Sequence, residues 1–160
     1  MKTLIVYKSH HGSTEKAAAY LQQRLGTELT DVIELKNGLP QNFDEYEKIL
    51  IGGSIHAGHI QRKIKKFCEK YLPELLNKKV GLFMCFMDMA QGAQEFDEAY
   101  PEELRNHAIA KGLFGGEYLF DKMNFIERFL VRKITGETES KSSLDYDAMD
   151  AFADTMLNDE

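Results

Sequence analysis

The sequence predicts an α/β domain with a five-stranded parallel sheet, strand order 2-1-3-4-5 and helices on both faces. Short apolar segments alternate with segments of helical periodicity along the whole chain. The segment Val80–Phe86 is almost continuously apolar, as expected for a parallel strand covered on both faces. No proline- or glycine-rich linker divides the chain, so we expect residues 1–160 to form a single domain with right-handed crossovers.

The first half of the chain supplies three strands and two helices. The predicted strands, each short and largely apolar, are Leu4–Tyr7, Asp31–Leu35 and Lys48–Ile51. The predicted helices, with apolar residues three or four positions apart, are Glu15–Leu25 and Gln61–Leu72. Gly26 is a suitable residue to end the first helix, and Asn37-Gly38-Leu39-Pro40 predicts a turn.

The second half supplies the other two strands and three further helical segments. The fourth strand is Val80–Phe86, and the fifth lies within Gly112–Phe120. The helical segments are Gln94–Ala110, with a break expected at Pro101, then Asn124–Thr135 and Leu144–Leu157. A polar loop, Gly136–Ser143, precedes the last helix.

The composition argues against two classes of protein. The chain has 26 acidic and 20 basic residues and a net charge of −6, whereas nucleic-acid binding needs a positive surface. The longest apolar run, Val80–Met87, has eight residues, but a membrane-spanning helix needs about 20. Because Met1–Tyr7 is typical of a first strand and not of a signal peptide, we expect a cytoplasmic location.

Neither the cysteines nor the histidines predict a metal site. Cys68 and Cys85 lie 17 positions apart, and we expect two buried, reduced thiols. His56 and His59 are three positions apart, but the sequence places no further ligands beside them. We therefore assign no metal.

The loop between the first strand and the first helix is the best candidate for a binding site. Its residues, three with hydroxyl groups, are Ser9, His10, His11, Gly12, Ser13 and Thr14. Hydroxyls and the backbone N–H groups of a helix N-terminus bind phosphate monoesters, and glycine lets the backbone approach the ligand. Alternatively, Ser13 or Thr14 only caps the helix. The two roles are compatible, and we favour phosphate binding.

Other phosphate-binding motifs are absent from the sequence. There is neither the Gly-Lys-Ser/Thr of a nucleotide P-loop nor the Gly-x-Gly-x-x-Gly of a dinucleotide site. A phosphatase loop of the Cys-x5-Arg type would need arginine where the chain has Glu74 and Gln91. A response-regulator receiver would need acidic residues where the chain has Ser9-His10-His11.

Two more loops are predicted at the same edge of the sheet, since the carboxyl ends of parallel strands lie together. The loop after the third strand contains Ser54, Ile55, His56, Ala57, Gly58 and His59. The loop after the fourth strand contains Met87, Asp88 and Met89. The three loops together predict a crevice that fits a planar aromatic ligand with a phosphate tail.

These features resemble the flavodoxin family over nearly the whole chain. Ser9-x-x-Gly12-x-Thr14 resembles the loop that binds the FMN phosphate, and the two later loops fall where flavodoxins contact the flavin ring. The resemblance implies a flavodoxin-like three-layer sandwich with FMN as cofactor. In such a site Asp88 either lowers the reduction potential of the flavin or serves as a helix cap or exposed loop charge. Ala57-Gly58 is expected to allow a backbone rearrangement beside the flavin.

A closer resemblance is to the menaquinone-dependent protoporphyrinogen oxidases. Ile51–His59 is similar to that family's Gly-Ala-Ser-Ile-x-x-Gly-His segment. Met123–Glu139, with Gly136-Glu137-Thr138, resembles its late helix and Gly-Glu-Thr motif.

The leading hypothesis is an FMN-binding carrier that transfers electrons to or from partner proteins. The alternative is an FMN-dependent oxidase of a tetrapyrrole with a quinone acceptor. A third, less favoured, is an interaction domain that has lost FMN. No acid–base pair identifies a catalytic residue.

The segment Asn124–Thr135 has an unusual distribution of residues. An apolar stripe is flanked by basic residues in an otherwise acidic protein; the stripe is Phe125, Ile126, Phe129, Leu130 and Ile134. One interpretation is docking to a redox partner or peripheral contact with a membrane surface. The other, which we favour from the sequence, is that the stripe packs on the domain and the basic residues face solvent.

Overall fold

The computed structural model describes residues 2–36, 42–87, 90–118, 124–135 and 141–159. Its strands are β1 (Lys2–Tyr7), β2 (Thr30–Glu34), β3 (Tyr46–His56), β4 (His59–Ile60), β5 (Lys79–Cys85), β6 (Ala110–Leu113), β7 (Glu117–Tyr118) and β8 (Lys141–Ser142). Its helices are α1 (Ser13–Leu25), α2 (Arg62–Lys70), α3 (Leu72–Leu75), α4 (Gly92–Ala99), α5 (Glu102–His107), α6 (Phe125–Thr135) and α7 (Tyr146–Asn158). The turn predicted at Asn37–Pro40 lies outside the described residues, as does most of the loop predicted at Gly136–Ser143.

The main sheet has the predicted topology. Its parallel strands follow the order β2-β1-β3-β5-β6, which is the predicted order 2-1-3-4-5 counted over the five parallel strands. β1 pairs with both β2 and β3, so the carboxyl ends of β1 and β3 lie side by side. The short β4 pairs antiparallel with the end of β3, and β7 and β8 form a separate antiparallel pair.

Two apolar cores cover the two faces of the sheet. Successive residues of β1 alternate between them, as the twofold periodicity of a strand requires: Leu4 and Val6 enter one core, and Ile5 and Tyr7 the other. Residues of α2, α3, α4 and α5 complete the first core, while residues of α1 and α7 complete the second. The predicted three-layer α/β arrangement is therefore confirmed.

The glycine-rich segment after Ile51 is a strand and not the predicted loop. β3 continues through Gly52 and Gly53 to His56, and a loop of two residues separates it from β4. The glycines serve close packing here, because a Cβ on Gly52 would lie 2.0 Å from the ring of Phe83. A Cβ on Gly53 would lie 2.7 Å from the side chain of Ile60. These glycines therefore mark close packing within a strand and not a loop.

The predicted helix Gln94–Ala110 is divided in the structure, and its end is a strand. Pro101 separates α4 from α5, as expected. Ala108 is extended and ends α5, and the N–H of Ile109 donates to the carbonyl of Val80. Pairing with β5 therefore starts β6 at Ala110, two residues before the predicted start of the fifth strand.

The apolar stripe of α6 is exposed, so the expectation that it packs on the domain is wrong for its described side chains. Phe125 is 84% exposed, and Ile126, Phe129 and Leu130 are also exposed. Among the described residues, both cores are built from other elements, and α6 contributes no side chain to either. The side chain of Ile134 lies outside the described residues.

Two further expectations concern thiols and membranes. Both cysteines are buried, as predicted. Among the residues that the structure describes, no helix combines the length and the apolarity that crossing a bilayer requires.

Candidate functional site

The loop between β1 and α1 is built around the backbone N–H groups of a helix N-terminus. Gly12 is the N-cap of α1, with a positive φ of 100° that glycine adopts at little cost. Its N–H donates to Ser9 Oγ at 2.8 Å. Because Gly12 occupies the N-cap position, Ser13 and Thr14 lie inside the helix and neither is its capping residue.

Thr14 places an unsatisfied hydroxyl at this helix N-terminus. Its side chain is completely buried, and Oγ1 has no hydrogen-bond partner among the described residues. A buried polar atom without a partner costs about 1–3 kcal/mol, so it marks a position where a partner is missing. The buried Ser13 lies beside it. The loop thus presents hydrogen-bond donors that are suited to binding an anion.

The second wall of the site is the hairpin of β3 and β4. His56 pairs with His59 across the hairpin, and Ile55 pairs with Ile60. The loop is Ala57-Gly58, with φ values of 50° and 80°. Two positive φ values are typical of the type I′ turn that matches the twist of a hairpin. The exposed turn therefore has a defined shape.

Gln61 holds the base of this hairpin. Its Oε1 accepts from the N–H of Ser54 at 2.9 Å, and its Nε2 donates to Ser54 Oγ at 2.6 Å. The Ser54 hydroxyl thus fixes the hairpin to the start of α2. Ser54 is a predicted site residue, whereas Gln61 is not, because no pattern in the sequence marks it.

Three histidines meet where the two walls approach each other. The rings of His10 and His56 lie 4.1 Å apart between centroids, and those of His10 and His11 lie 4.2 Å apart. The carboxylate of Glu127 lies among them, 2.8 Å from His10 Nε2, 3.2 Å from His11 Nε2 and 4.0 Å from His56 Nε2. We call these four residues the histidine–glutamate cluster.

Glu127 reaches the cluster from the first turn of α6. Asn124 Oδ1 accepts from the N–H of Glu127, and Glu127 Oε2 accepts from the N–H of Asn124. This reciprocal pair is the arrangement of a capping box. Sequence reasoning missed Glu127 as a site residue. The spacing of Asn124 and Glu127 indicates a helix start, but not where that start lies in the fold.

Burial and hydrogen bonding set the charges in the cluster. Partial burial opposes ionisation of Glu127, but hydrogen bonds from His10 and the Asn124 N–H outweigh it and lower the carboxyl pKa. Burial, with a smaller contribution from His10, lowers the pKa of His56. The cluster therefore combines an ionised carboxylate with a neutral His56 at neutral pH.

The third predicted wall is described only in part. Met87 is half-buried after β5, and its sulfur lies 3.3 Å from where a Cβ on Gly116 would be. Asp88 and Met89, both predicted site residues, lie outside the described residues. The structure thus brings together the first loop and the β3–β4 hairpin, with Met87 at the end of the next strand. His59 is exposed on β4.

Comparison with known protein sequences identifies relatives over most of the chain. The family model described as Flavodoxin domain matches residues 4–145. Protoporphyrinogen IX dehydrogenase (quinone) of Leishmania major is 25% identical over 162 residues, covering 91% of this chain and 68% of that protein.

Solved structures show the same fold. Rubredoxin oxygen:oxidoreductase of Desulfovibrio gigas superposes with a TM-score of 0.60 at 16% identity, covering 96% of this chain. The chain spans only 34% of that oxidoreductase. A flavodoxin from the domain Archaea superposes with a TM-score of 0.54 at 18% identity, covering 72% of this chain and 85% of that protein.

Proposed function

The chain belongs to the flavodoxin domain family, and we propose that it is an FMN-binding redox protein that transfers electrons to or from partner proteins. The observation that carries the proposal is the buried Thr14 hydroxyl, which has no partner among the described residues and lies at the N-terminus of α1. The partial positive charge of a helix N-terminus and an unsatisfied hydroxyl together suit a phosphate monoester. When bound, FMN supplies the redox chemistry, and the protein binds, orients and tunes it.

The residues present fit FMN at both ends of the molecule. The first loop offers backbone N–H groups and the hydroxyls of Ser13 and Thr14 to the phosphate. The β3–β4 hairpin offers Ile55 and His56 as the apolar and aromatic surfaces for a flat ring. Asp88 and Met89 complete the set that we propose for the ring. We assign no protein group as a catalytic acid or base.

Comparing FMN with riboflavin tests the phosphate site. Riboflavin has the same ring and lacks the phosphate, so we expect it to bind more weakly than FMN in a titration followed by flavin fluorescence and visible absorption. Replacing Thr14 with valine removes the hydroxyl at almost constant volume. A hydrogen bond to a charged group contributes about 1.5–3 kcal/mol, so we expect about a ten- to hundred-fold loss of FMN affinity.

The same titration contains its own controls. The valine variant should bind riboflavin as the unmodified chain does, because the ring contacts are unchanged. Thr155→Val on α7 removes an exposed hydroxyl that donates to the Ala151 carbonyl, and FMN affinity should be unaffected. Equal affinities for FMN and riboflavin would count against the phosphate site, and the absence of any flavin binding would reject the proposal.

A second candidate function is an oxidase of a protoporphyrinogen-like tetrapyrrole with a quinone acceptor. The similarity to the Leishmania major dehydrogenase favours it, as does the exposed apolar face of α6. In this reaction hydrogen removed from the tetrapyrrole would reduce the quinone to the quinol. The FMN-loaded chain should then produce fluorescent porphyrin from protoporphyrinogen only when a quinone is present. Porphyrin formation no faster than in a control without the protein would exclude the oxidase function, and the carrier function would then remain as the proposal.

We further propose that α6 makes the peripheral contact through which the protein docks on an anionic membrane surface. Phe125, Ile126 and Phe129 are more than half exposed, and Arg132 and Lys133 on the same helix are exposed cations. Such a helix lies in the bilayer interface with its apolar face inserted. Vesicles containing anionic lipid should sediment the chain, and Phe125→Ser with Phe129→Ser should abolish this. Equal sedimentation of both chains would contradict the role of α6.

A further inference from the structure

The histidine–glutamate cluster is arranged as a set of metal ligands. One ligand atom from each of His10, His11, His56 and Glu127 can be chosen so that all lie within 4.8 Å of one another. Tetrahedral zinc at bond lengths of about 2.0–2.1 Å separates its ligand atoms by roughly 3.3 Å. Glu127 Oε1 lies 2.8 Å from His10 Nε2 and 4.0 Å from His56 Nε2, two distances that bracket that separation, and Glu127 Oε2 lies 3.2 Å from His11 Nε2. Because the ligand atoms are separated by up to 4.8 Å, side-chain rotations would have to draw them together around an ion.

The donor atoms determine which ions would bind. Imidazole nitrogens suit Zn²⁺ and similar transition metals, whereas Mg²⁺ and Ca²⁺ require oxygen ligands. Three imidazoles and one carboxylate fill a four-coordinate shell without a further ligand. Glu127 Oε2 also accepts from the N–H of Asn124, so the ligating carboxylate has a hydrogen-bonding partner of its own. The side chains of His10 and His56 are 40% and 46% exposed, which leaves the cluster accessible from solvent.

We propose that His10, His11, His56 and Glu127 form a binding site for a divalent transition-metal ion of the zinc type. The site would join three separate elements: the first loop, the β3–β4 hairpin and α6. It does not rest on the proposed function, because the phosphate donors of the first loop are backbone N–H groups and hydroxyls, whereas the metal donors are imidazoles and a carboxylate. His56 is shared with the surface that we propose for the flavin ring, so the zinc titration uses the flavin-free chain and its outcome does not depend on FMN binding.

Titration of the purified, chelator-treated chain with Zn²⁺ tests the proposal, with heat of binding as the measurement. We expect one ion bound per chain and no heat from Mg²⁺. Glu127→Gln removes a ligand charge but keeps the capping box, since glutamine also serves at that position. It should weaken Zn²⁺ binding by at least about ten-fold, because even residues that only support a ligand contribute about 10–100-fold. His56→Asn, on an exposed hairpin, should do the same.

Controls separate this site from other zinc-binding surfaces. Glu103→Gln changes an exposed glutamate on α5 and should leave the affinity unchanged. Co²⁺ should give the intense visible absorption of tetrahedral coordination in the unmodified chain, and this should be lost in the Glu127 and His56 variants. Zinc binding that is absent, or equal in the unmodified chain and in both variants, would overturn the proposal.

Discussion

Gly52 on β3 faces the ring of Phe83 on β5. Substitution of this one residue therefore tests how tightly the core is packed. A Cβ on Gly52 would lie 2.0 Å from that ring. Gly52→Ala should lower the free energy of unfolding by about 1–3 kcal/mol, the usual cost of overpacking a core. Chemical denaturation measures it. In a Phe83→Leu background the same substitution should cost less, because the smaller side chain leaves room. Equal costs in both backgrounds would show that the ring is not the cause.

Ala57 is the described residue other than glycine that has a positive φ. A left-handed conformation costs an ordinary L-residue about 1–2 kcal/mol, while glycine loses about 0.4–1 kcal/mol more chain entropy on folding. Ala57→Gly should therefore raise the free energy of unfolding by about 0.5 kcal/mol. Gly58→Ala, at a φ of 80°, should lower it. Denaturation curves that shift in the same direction for both variants would contradict a type I′ turn.

Cys68 is expected to be an unreactive thiol. Burial, with a smaller contribution from Glu69, raises its pKa to about 12. At pH 9 only about one thousandth of this thiol is therefore ionised, and the thiolate is the reactive form. In a Cys85→Ala variant, a thiol reagent should modify the folded chain far more slowly than a small thiol at every pH from 7 to 9. Adding denaturant should restore normal reactivity, and fast modification of the folded chain would contradict the burial.

At the scale of the residue, the sequence predicted which residues form the first loop, but it did not predict the histidine–glutamate cluster. The proposal of a phosphate loop at Gly12 and Thr14 depends only on consecutive residues of the sequence. Glu127 lies 117 positions from His10, and nothing local connects them. Spacing along the chain pairs His56 with His59, whereas the fold places His56 beside His10. Long-range juxtaposition of this kind follows from topology and is not encoded by spacing.

At the scale of the element, α7 depends on its N-cap. Asp145 accepts from the N–H of Ala148 at 2.9 Å and so satisfies a donor that the helix itself leaves free. Asp145→Ala should lower the free energy of unfolding by about 1 kcal/mol, since α7 contributes Met149, Phe152 and Met156 to a core. Thermal denaturation measures this change.

Asp147→Ala is the matched control for that helix. It removes an exposed acidic residue from the same first turn. The cap bond is left intact, so only the weaker interaction with the helix dipole is lost, about 0.3–1 kcal/mol. A larger effect at Asp147 than at Asp145 would contradict the assigned cap.

The same scale shows where periodicity is a reliable guide. Helices and strands with a buried face, such as α2 and β5, were predicted within two residues of their observed bounds. The β3–β4 hairpin was not predicted, because glycines after a strand are typical of a loop, while here they make room for Phe83 and Ile60. The exposure of α6 was also missed, since an apolar stripe alone does not tell whether another element is available to cover it.

At the scale of the whole molecule, the order of the parallel strands could be predicted because alternating strands and helices allow few topologies. The prediction of a site at the carboxyl edge followed from that topology. The net charge of the chain differs from the charge at one part of its surface. The chain carries −6 overall, yet α6 presents exposed cations beside exposed aromatic rings. Overall composition predicts the first fact and not the second, because it does not specify which residues share a surface.

The central position of β3 also determines how fast different parts of the site exchange amide hydrogen with solvent. Ile49, Leu50 and Ile51 are fully buried, and their strand is paired on both sides by β1 and β5. Their amides should exchange only when the whole chain unfolds, whereas those of Ala57 and Gly58 should exchange through small local openings. Exchange should therefore become faster along the chain from the middle of β3 to the hairpin loop that follows it. Local opening of the hairpin would therefore leave the hydrogen bonds of the sheet beneath it intact.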